Sequence, residues 1–352
     1  MPDIVLTDLR KTFANGVVGL HPTTLRIAAG EYFVLLGPSG SGKSTLLRLI
    51  AGLETAEGGT IHFGDRQIHT LAPHERGVAF VPQRAALYPD RDVRGNIRAG
   101  LEFARDRPAS SEIDARVRLA AESLRIAELL THRPHELSGG EQRRVMLARA
   151  MVRRASILLL DEPLGNLDSA LAEELSEDLH LLQKPFRPTI LHVTHDPIEA
   201  MALADRVGLL GGGRVLHAGK PDEVYARPGS RTVGLHFGRP AMALIDGSGD
   251  GTEFASAGGW LRLPCPYTGP LTCGVRPEDV AFDQQAGFVR VGSGDVACGR
   301  RVDSRVLVTV RGPGAEVRGF ANEVPAAPRL GLWLRVDRVH WFDHLTGERV
   351  GT

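Results

Sequence analysis

A glycine-rich loop near the start of the chain has the residue types that hold a phosphate chain. The stretch GPSGSGKST begins at Gly37, follows an apolar run that predicts a strand, and opens a helical pattern. Glycines let successive backbone N–H groups turn toward phosphate oxygens, and the following helix N-terminus adds its positive dipole. Lys43 can pair with the β- and γ-phosphates, and the Ser44 hydroxyl can ligate Mg²⁺. The predicted nucleotide-phosphate residues are Gly37, Pro38, Ser39, Gly40, Ser41, Gly42, Lys43, Ser44 and Thr45.

Two adjacent acids follow another apolar run, in ILLLDEP. Acids at the carboxyl end of a buried strand face the crevice where open α/β sheets bind their ligands. Asp161 can hold Mg²⁺ through water, and Glu162 can orient or deprotonate an attacking water. The alternative, a pair of caps for a neighbouring helix, is disfavoured by the phosphate loop in the same chain.

Three further side chains at predicted strand ends or edges are candidates for the same site. His195 follows LHVT and can contact a γ-phosphate or the attacking water, although a lone histidine is more often a satisfied core residue. Gln83 follows AFVP, and its amide can ligate Mg²⁺ or hold water. Phe13 in RKTFANG can stack on adenine, and local packing on an edge strand is the alternative.

A second glycine loop, in ELSGGEQRRVMLARA, opens a basic amphipathic helix. Ser138, Gly139 and Gly140 stand where a helix N-terminus offers N–H groups to an anion. Since this loop has no lysine, it is not a second copy of the loop at Gly37.

The elements that would position these residues form an α/β arrangement followed by a β-rich region. Apolar strands alternate with helical patterns, as in a sheet covered on both faces, and the first strands alternate like antiparallel edge strands. Residues of about 85–150 predict a helical subdomain. Beyond about residue 235, dense Gly and Pro separate short strands and predict a compact β domain. We therefore expect domains at 1–235 and 236–352.

Composition limits the classes of function. The chain has 352 residues with 42 basic and 42 acidic side chains, a formal net charge of +0, which argues against a bulk nucleic-acid binder. Its three cysteines lack paired metal spacing and suit a reduced compartment. No uncharged apolar run reaches the ~18 residues of a membrane helix, and the N-terminus lacks a signal pattern. We expect an intracellular protein that reaches a membrane only through partners.

Six motifs in order resemble the ATPase subunit of ABC transporters over about residues 3–235: GPSGSGKST, VPQ, LSGGEQ, ILLLDEP, GNLD and VTHD. The resemblance implies a P-loop ATPase domain with a mixed sheet core, an antiparallel β subdomain and a helical subdomain. A small all-β OB-like (TOBE) domain would follow. ATP and Mg²⁺ are the implied cofactors.

The resemblance also implies residue roles. Asp161 and Glu162 would be the Walker B acids, with Glu162 as catalytic base. Gln83 would link the Mg²⁺ site to the helical subdomain, His195 would be the switch histidine, and Asp168 would end the D-loop. Ser138, Gly139 and Gly140 would close over the γ-phosphate bound by Lys43 of a second copy, in a head-to-tail dimer sandwiching two ATP.

Two departures from the family pattern stand out. Gly165 replaces the serine of the D-loop, and Pro82 replaces an aromatic residue before Gln83. Neither change removes a catalytic group, so we still predict an active ATPase. The alternatives are a soluble ABC ATPase outside transport, which usually carries two cassettes or a long coiled coil, and a binding module without turnover. The presence of Lys43, Glu162 and His195 argues against the latter.

Within the family, the stretches FGRPAM, GVRPEDV and HWFDHLTGERV look most like the carbohydrate-uptake group, which includes the maltose and glycerol-3-phosphate systems. Importers of ferric iron or polyamines share the layout and remain an alternative. The resemblance implies work at the cytoplasmic face of the membrane with two permease subunits and, indirectly, an extracytoplasmic solute-binding protein. It implies no nucleic-acid partner.

Overall fold

The computed structural model describes residues 1–84, 86–102, 108–165 and 169–351. They form two compact units, Met1–Pro221 and Asp222–Thr352. Within the described ranges, no helix is both long enough and apolar enough to cross a membrane.

In its described ranges, the first unit combines ten strands with six α-helices. Its strands are β1 (Ile4–Thr12), β2 (Val18–Ile27), β3 (Tyr32–Leu36), β4 (Gly58–Phe63), β5 (Arg66–Gln67), β6 (Val78–Val81), β7 (Ile157–Asp161), β8 (Thr189–Thr194), β9 (Arg206–Gly211) and β10 (Arg214–Gly219). Its helices are α1 (Lys43–Ala51), α2 (Val93–Arg98), α3 (Ser110–Ser123), α4 (Gly139–Val152), α5 (Ser169–Phe186) and α6 (Pro197–Leu203).

A six-stranded sheet in the order β10-β9-β3-β8-β7-β6 forms the centre of this unit. Its neighbours pair in parallel except β10, which lies antiparallel to β9 at one edge. Every residue of β3, β7 and β8 is buried, as expected for strands covered on both faces. The predicted mixed sheet is therefore confirmed, and it brings the carboxyl ends of β3, β7 and β8 to one edge.

The antiparallel subdomain is a four-stranded sheet in the order β2-β1-β4-β5. Ile4, Leu6 and Leu9 of β1 are buried in the same core cluster as Leu46 and Ile50 of α1. The alternation that predicted edge strands thus places one face of this sheet against the helix that follows the phosphate loop.

The described part of the region predicted as helical contains three α-helices. α2, α3 and α4 pack on one another, and α3 buries Ile113, Val117 and Ala121 along one side. α4 extends slightly past residue 150 and also contacts β6 of the central sheet. This helix therefore connects the helical region to the core.

The second unit is mostly β. Its strands are β11 (Ala243–Asp250), β12 (Glu253–Ser256), β13 (Arg262–Pro264), β14 (Thr268–Val275), β15 (Val280–Ala281), β16 (Val289–Val302), β17 (Arg305–Gly312), β18 (Ala315–Ala321), β19 (Arg329–Leu334) and β20 (His340–Asp343), with helices α7 (Pro221–Ala226) and α8 (Arg231–His236). Two five-stranded antiparallel sheets, β13-β12-β11-β14-β20 and β15-β19-β16-β17-β18, share one apolar core. The predicted small all-β domain is confirmed.

The division between the units falls between Pro221 and Asp222, earlier than the predicted boundary at residue 235. Arg276, which is buried in the second unit, explains the difference. Its guanidinium donates to the carbonyl oxygens of Tyr225 at 3.0 Å, Gly234 at 3.2 Å and Phe237. These bonds hold α7 and α8 against the β sheets of the second unit. The sequence of the two helices nevertheless resembles the helical sequence of the first unit.

Candidate nucleotide site

The phosphate loop connects β3 to α1 and depends on glycine at two positions. Gly40 and Gly42 have φ angles of 77° and 101°, in the left-handed region that favours glycine. A β-carbon on Gly42 would lie 2.3 Å from the carbonyl oxygen of Gly19. The Ser41 hydroxyl is buried in this loop and has no hydrogen-bond partner within the described part of the chain. The loop is therefore shaped by its glycines and retains an unused polar group.

Lys43 spans the loop from the first turn of α1. Its Nζ donates to the carbonyl oxygens of Gly37 at 2.7 Å and Pro38 at 3.0 Å, and only 4% of the residue is exposed. Burial lowers the pKa of Lys43, while the carboxylates of Glu162 and Asp161 oppose the shift. The ammonium thus lies inside the loop with carboxylates nearby, where it can meet phosphate oxygens.

Asp161 ends β7 beside the phosphate loop. The Ser44 hydroxyl donates to Asp161 Oδ1 at 2.9 Å, so one hydroxyl and one carboxylate lie together. Burial raises the pKa of Asp161, and the hydrogen bond from Ser44 opposes that shift. No group of three or more His, Cys, Asp or Glu side chains able to hold a metal is found in the described part of the chain. The donor set fits Mg²⁺, which typically takes one or two protein oxygens together with substrate phosphates and water.

Glu162 is the point where the other candidates meet. Its Oε2 accepts a hydrogen bond from Gln83 Nε2 at 2.9 Å and lies 3.2 Å from His195 Nδ1. Its Oε1 lies 3.7 Å from Lys43 Nζ. The structure therefore joins three residues, predicted separately from three other motifs, around the carboxylate of Glu162, which is 13% exposed.

The backbone of Glu162 is unusual for a residue with a side chain. Its φ angle is +46°, and its amide donates to the carbonyl oxygen of Val193 at 2.9 Å. Left-handed backbone at a non-glycine residue costs free energy and is found most often at functional sites. The bond to β8 holds the turn that directs this carboxylate into the cluster.

His195 is held on both sides by residues at the end of β8. The Thr194 carbonyl accepts from the Gly37 amide at 3.2 Å, and the Thr194 hydroxyl donates to Glu199. Asp196 caps α6 by accepting from the Ile198 amide at 2.8 Å. These bonds fix the backbone on either side of His195, whose side chain is 53% exposed and contacts Glu162.

The second glycine loop forms the beginning of α4. Ser138 is the N-cap residue, and its hydroxyl donates to Glu141 Oε2 at 2.8 Å and accepts from the Glu141 amide at 3.3 Å. The Ser138 amide also donates to Glu141 Oε2, at 2.7 Å, which completes a capping box. A β-carbon on Gly139 would meet no atom within 4 Å, whereas one on Gly140 would lie 2.3 Å from Leu171. Ser138 and Gly139 thus stand at an open helix end.

Known proteins match this chain along its length. The family model described as ABC transporter matches residues 20–165. The chain is 39% identical over 359 residues to the sn-glycerol-3-phosphate import ATP-binding protein UgpC of Cereibacter sphaeroides, an alignment that covers 99% of this chain and 100% of the relative.

The chain belongs to the ATP-binding proteins of ABC transporters.

This ABC ATPase has further similar relatives and structures. It is 40% identical over 372 residues to the UgpC protein of Ralstonia nicotianae, covering 99% of each chain. Among solved structures, it is similar to the dimeric post-hydrolysis state of the ATP-binding cassette MJ0796 bound to ADP and Pi. That match has a TM-score of 0.57 and 29% identity, and covers 62% of this chain and 98% of the other.

Phe13 of the ABC ATPase lies beside the helix that follows the phosphate loop. A β-carbon on Gly19 would be 2.6 Å from the Phe13 ring and 3.2 Å from Thr45, so the ring covers Gly19 next to α1. Lys11 Nζ lies 5.4 Å from the ring centroid. The contact with Gly19 agrees with local packing of the Phe13 ring. The ring is nevertheless half-buried and lies near the phosphate loop, so adenine stacking stays a prediction. Asp168, the last predicted residue, lies outside the described residues.

Arg143 of α4 was not predicted from the sequence. This residue is 7% exposed, and its guanidinium donates to the carbonyl oxygens of Gln83 at 2.6 Å and Gly165 at 3.1 Å. In the sequence it belongs to a basic stretch that resembles a solvated helix face. The helical spacing of Gly140, Arg143 and Leu147, which are all buried, is the signal that could have found it.

Proposed function

We propose that this ABC ATPase is the energy-coupling subunit of an importer for a carbohydrate or related small solute. The observation that carries the proposal is the full-length alignment with relatives named as sn-glycerol-3-phosphate import proteins. These alignments include the second, β-rich unit as well as the ATPase unit. We infer that this unit is the TOBE-type domain of the carbohydrate-uptake group and that it regulates the ATPase.

The geometry supports an assignment of roles in ATP hydrolysis. Lys43 binds the β- and γ-phosphates, and the phosphate-loop N–H groups orient them. Ser44 and Asp161 would hold Mg²⁺, and Gln83 is a further candidate ligand. When bound, Mg²⁺ neutralises the charge that develops on the phosphate oxygens. Glu162 orients the attacking water and accepts its proton, while Gln83 and His195 position the carboxylate through Oε2.

The second glycine loop acts, in this proposal, on nucleotide bound by a second copy of the chain. Ser138 and Gly139 stand at the open N-terminus of α4, where a helix attracts anions, but the loop supplies no cation. A head-to-tail dimer combines this loop with Lys43 of the other copy, and two-fold symmetry makes two such sites. The dimeric state of the similar cassette supports this arrangement.

A groove beside Gln83 is the proposed contact with the permease subunits. It is lined by residues of β6, of the segment that follows β6 and of α4, including Phe80, Pro82, Met146 and Arg149. The Tyr88 ring lies nearby, 4.7 Å from the Arg91 guanidinium and 5.3 Å from that of Arg149. A cytoplasmic segment of each permease subunit seated here would place the ATPase at the cytoplasmic face of the membrane, in indirect contact with a solute-binding protein.

Uptake in cells lacking the gene for this chain tests the proposal. The deletion strain should lose ATP-dependent uptake of one labelled carbohydrate or glycerol phosphate, and two membrane subunits should co-purify with the tagged chain. Plasmid-borne wild type should restore uptake, whereas Lys43→Ala should not. If the deletion strain lost only the uptake of ferric iron or spermidine, the importer would belong to another substrate class. If no membrane subunit co-purified with the tagged chain, that result would contradict a transport function.

A further inference from the structure

One arginine of α4 holds two loops of the candidate site. Arg143 Nη1 donates to the Gln83 carbonyl and Nη2 to the Gly165 carbonyl, at 2.6 and 3.1 Å. The two acceptors belong to segments that follow different strands, β6 and β7. A guanidinium can do this because its donors diverge in a rigid plane.

Both loops also touch Glu162 through other atoms. The Gln83 side chain donates to Glu162 Oε2 at 2.9 Å, and the Gly165 amide donates to the Glu162 carbonyl at 3.1 Å. Arg143 therefore lies behind the catalytic carboxylate without a described hydrogen bond to it, and fixes the backbone on either side of it.

Gly165 makes this backbone contact more important. The residue has no side chain, and a β-carbon built there would lie 3.5 Å from Glu162 Oε2 and 3.3 Å from its carbonyl oxygen. A serine at this position could therefore approach the carboxylate, but glycine cannot. The loop is held instead by its own amide and carbonyl, and the carbonyl partner is Arg143.

The environment of Arg143 suits a residue that positions others. Burial lowers the pKa of Arg143, and the carboxylates of Glu199 and Glu162 oppose the shift, so the guanidinium remains a buried cation. Both of its described hydrogen bonds go to neutral carbonyl oxygens rather than to a carboxylate. Removal of the guanidinium would leave the carbonyl groups of Gln83 and Gly165 without this hydrogen-bond donor.

We propose that Arg143 is a positioning residue for ATP hydrolysis, which aligns Glu162 by holding the backbones of Gln83 and Gly165 at a fixed spacing. Ser138 is the N-cap residue of the same helix. Movement of α4 as it closes over the nucleotide of the second copy would therefore reach Glu162 of its own subunit. This inference rests on the proposed role of Glu162 as catalytic base.

Steady-state ATPase kinetics of the full-length protein test the positioning role through Arg143→Met and Arg143→Lys. With Met, we expect kcat to fall about 10- to 100-fold because the base is misplaced, and KM for ATP to change less than about two-fold. Lysine should recover only part of kcat, because one ammonium does not reproduce the fork. The matched control is Arg144→Met on the same helix, whose guanidinium lies 2.6 Å from Glu174 and 3.6 Å from Asp178.

The control separates positioning from stability. Arg144→Met should lower the thermal midpoint but leave kcat within about two-fold of wild type below that midpoint. In a Glu162→Gln background, Arg143→Met should still form the ATP-dependent dimer on gel filtration, because the second glycine loop and the phosphate loop are intact. A normal kcat for Arg143→Met, an equal loss in Arg144→Met, or loss of the dimer would each overturn the inference. Near-normal turnover in Glu162→Gln alone would instead refute the proposed base.

Discussion

Gln83 donates a hydrogen bond to the carboxylate of Glu162 at 2.9 Å, across 79 positions of sequence. Gln83 follows β6, where the central sheet gives way to the helical region, and Glu162 follows β7. A shift of the helical region therefore changes a direct contact of the proposed base. We infer that this contact is the route by which an event at the groove beside Gln83 reaches hydrolysis.

Ser138→Arg should separate nucleotide binding from dimer closure. The monomer should bind ATP with unchanged affinity, because Lys43 and its loop are intact. Turnover should fall by about 100-fold or more, since a bulky cation replaces the hydroxyl at the open helix end. Equilibrium ATP binding and steady-state turnover measure the two effects.

The control for this variant is Ser230→Arg, which changes the serine N-cap of α8 in the second unit. Each substitution removes a cap worth about 1 kcal/mol, so both should cost stability. Only the change at position 138 should stop turnover. Full activity of Ser138→Arg would contradict a role for this loop at the site.

Phe13→Ala tests adenine stacking. If the ring stacks on the base, ATP affinity should fall by the roughly 1–3 kcal/mol typical of aromatic–base stacking. Phe13→Tyr keeps the ring and should bind like wild type. Isothermal titration of both variants decides the matter, and equal affinity of the alanine variant would leave Phe13 with local packing against Gly19 alone.

The second unit should lose stability as the pH falls from about 6.5 to about 4. Burial, with the charges of Arg276 and Arg349, lowers the pKa of His340 to about 4, and the residue is 6% exposed. The unfolded chain therefore takes up this proton first, at its ordinary pKa of about 6.5, and stability declines by up to about 3 kcal/mol across that interval.

Urea unfolding of wild type and His340→Gln at several pH values measures this effect. Glutamine keeps a polar side chain beside Arg349, whose Nη1 lies 3.3 Å from His340 Nδ1, but it does not titrate. The difference in unfolding free energy between the two proteins should change between pH 6.5 and 4. A difference that stays constant over this range would show that His340 does not titrate as proposed.

Much of the fold was predictable because its signals are local. The apolar runs before Gly37, Asp161 and His195 form strands buried at every position, and Gly40 and Gly42 have the backbone that only glycine adopts easily. The phosphate loop and the acidic pair are contiguous motifs, so their residue types and spacing were enough to predict their chemistry.

The contacts between motifs were not predictable in this way. The meeting of Gln83, His195 and Lys43 at Glu162 depends on strand order, which no single motif contains. Arg143 was not predicted because a charged residue in a basic stretch is expected to be exposed to solvent. In the structure, tertiary packing buries it, and its guanidinium donates to two carbonyl groups. The division between the two units lies before the boundary predicted at residue 235 for a similar reason. Arg276, which is distant in the sequence, binds α7 and α8.

Single-site replacement of the base tests the central claim most directly. Glu162→Gln keeps the shape and hydrogen-bonding capacity of the side chain but cannot accept the proton of the attacking water. ATP binding should be unchanged, turnover should fall by about 10²–10⁴-fold, and ATP should trap a stable dimer visible by gel filtration. Near-normal turnover in this variant would show that the base lies elsewhere and would contradict the account.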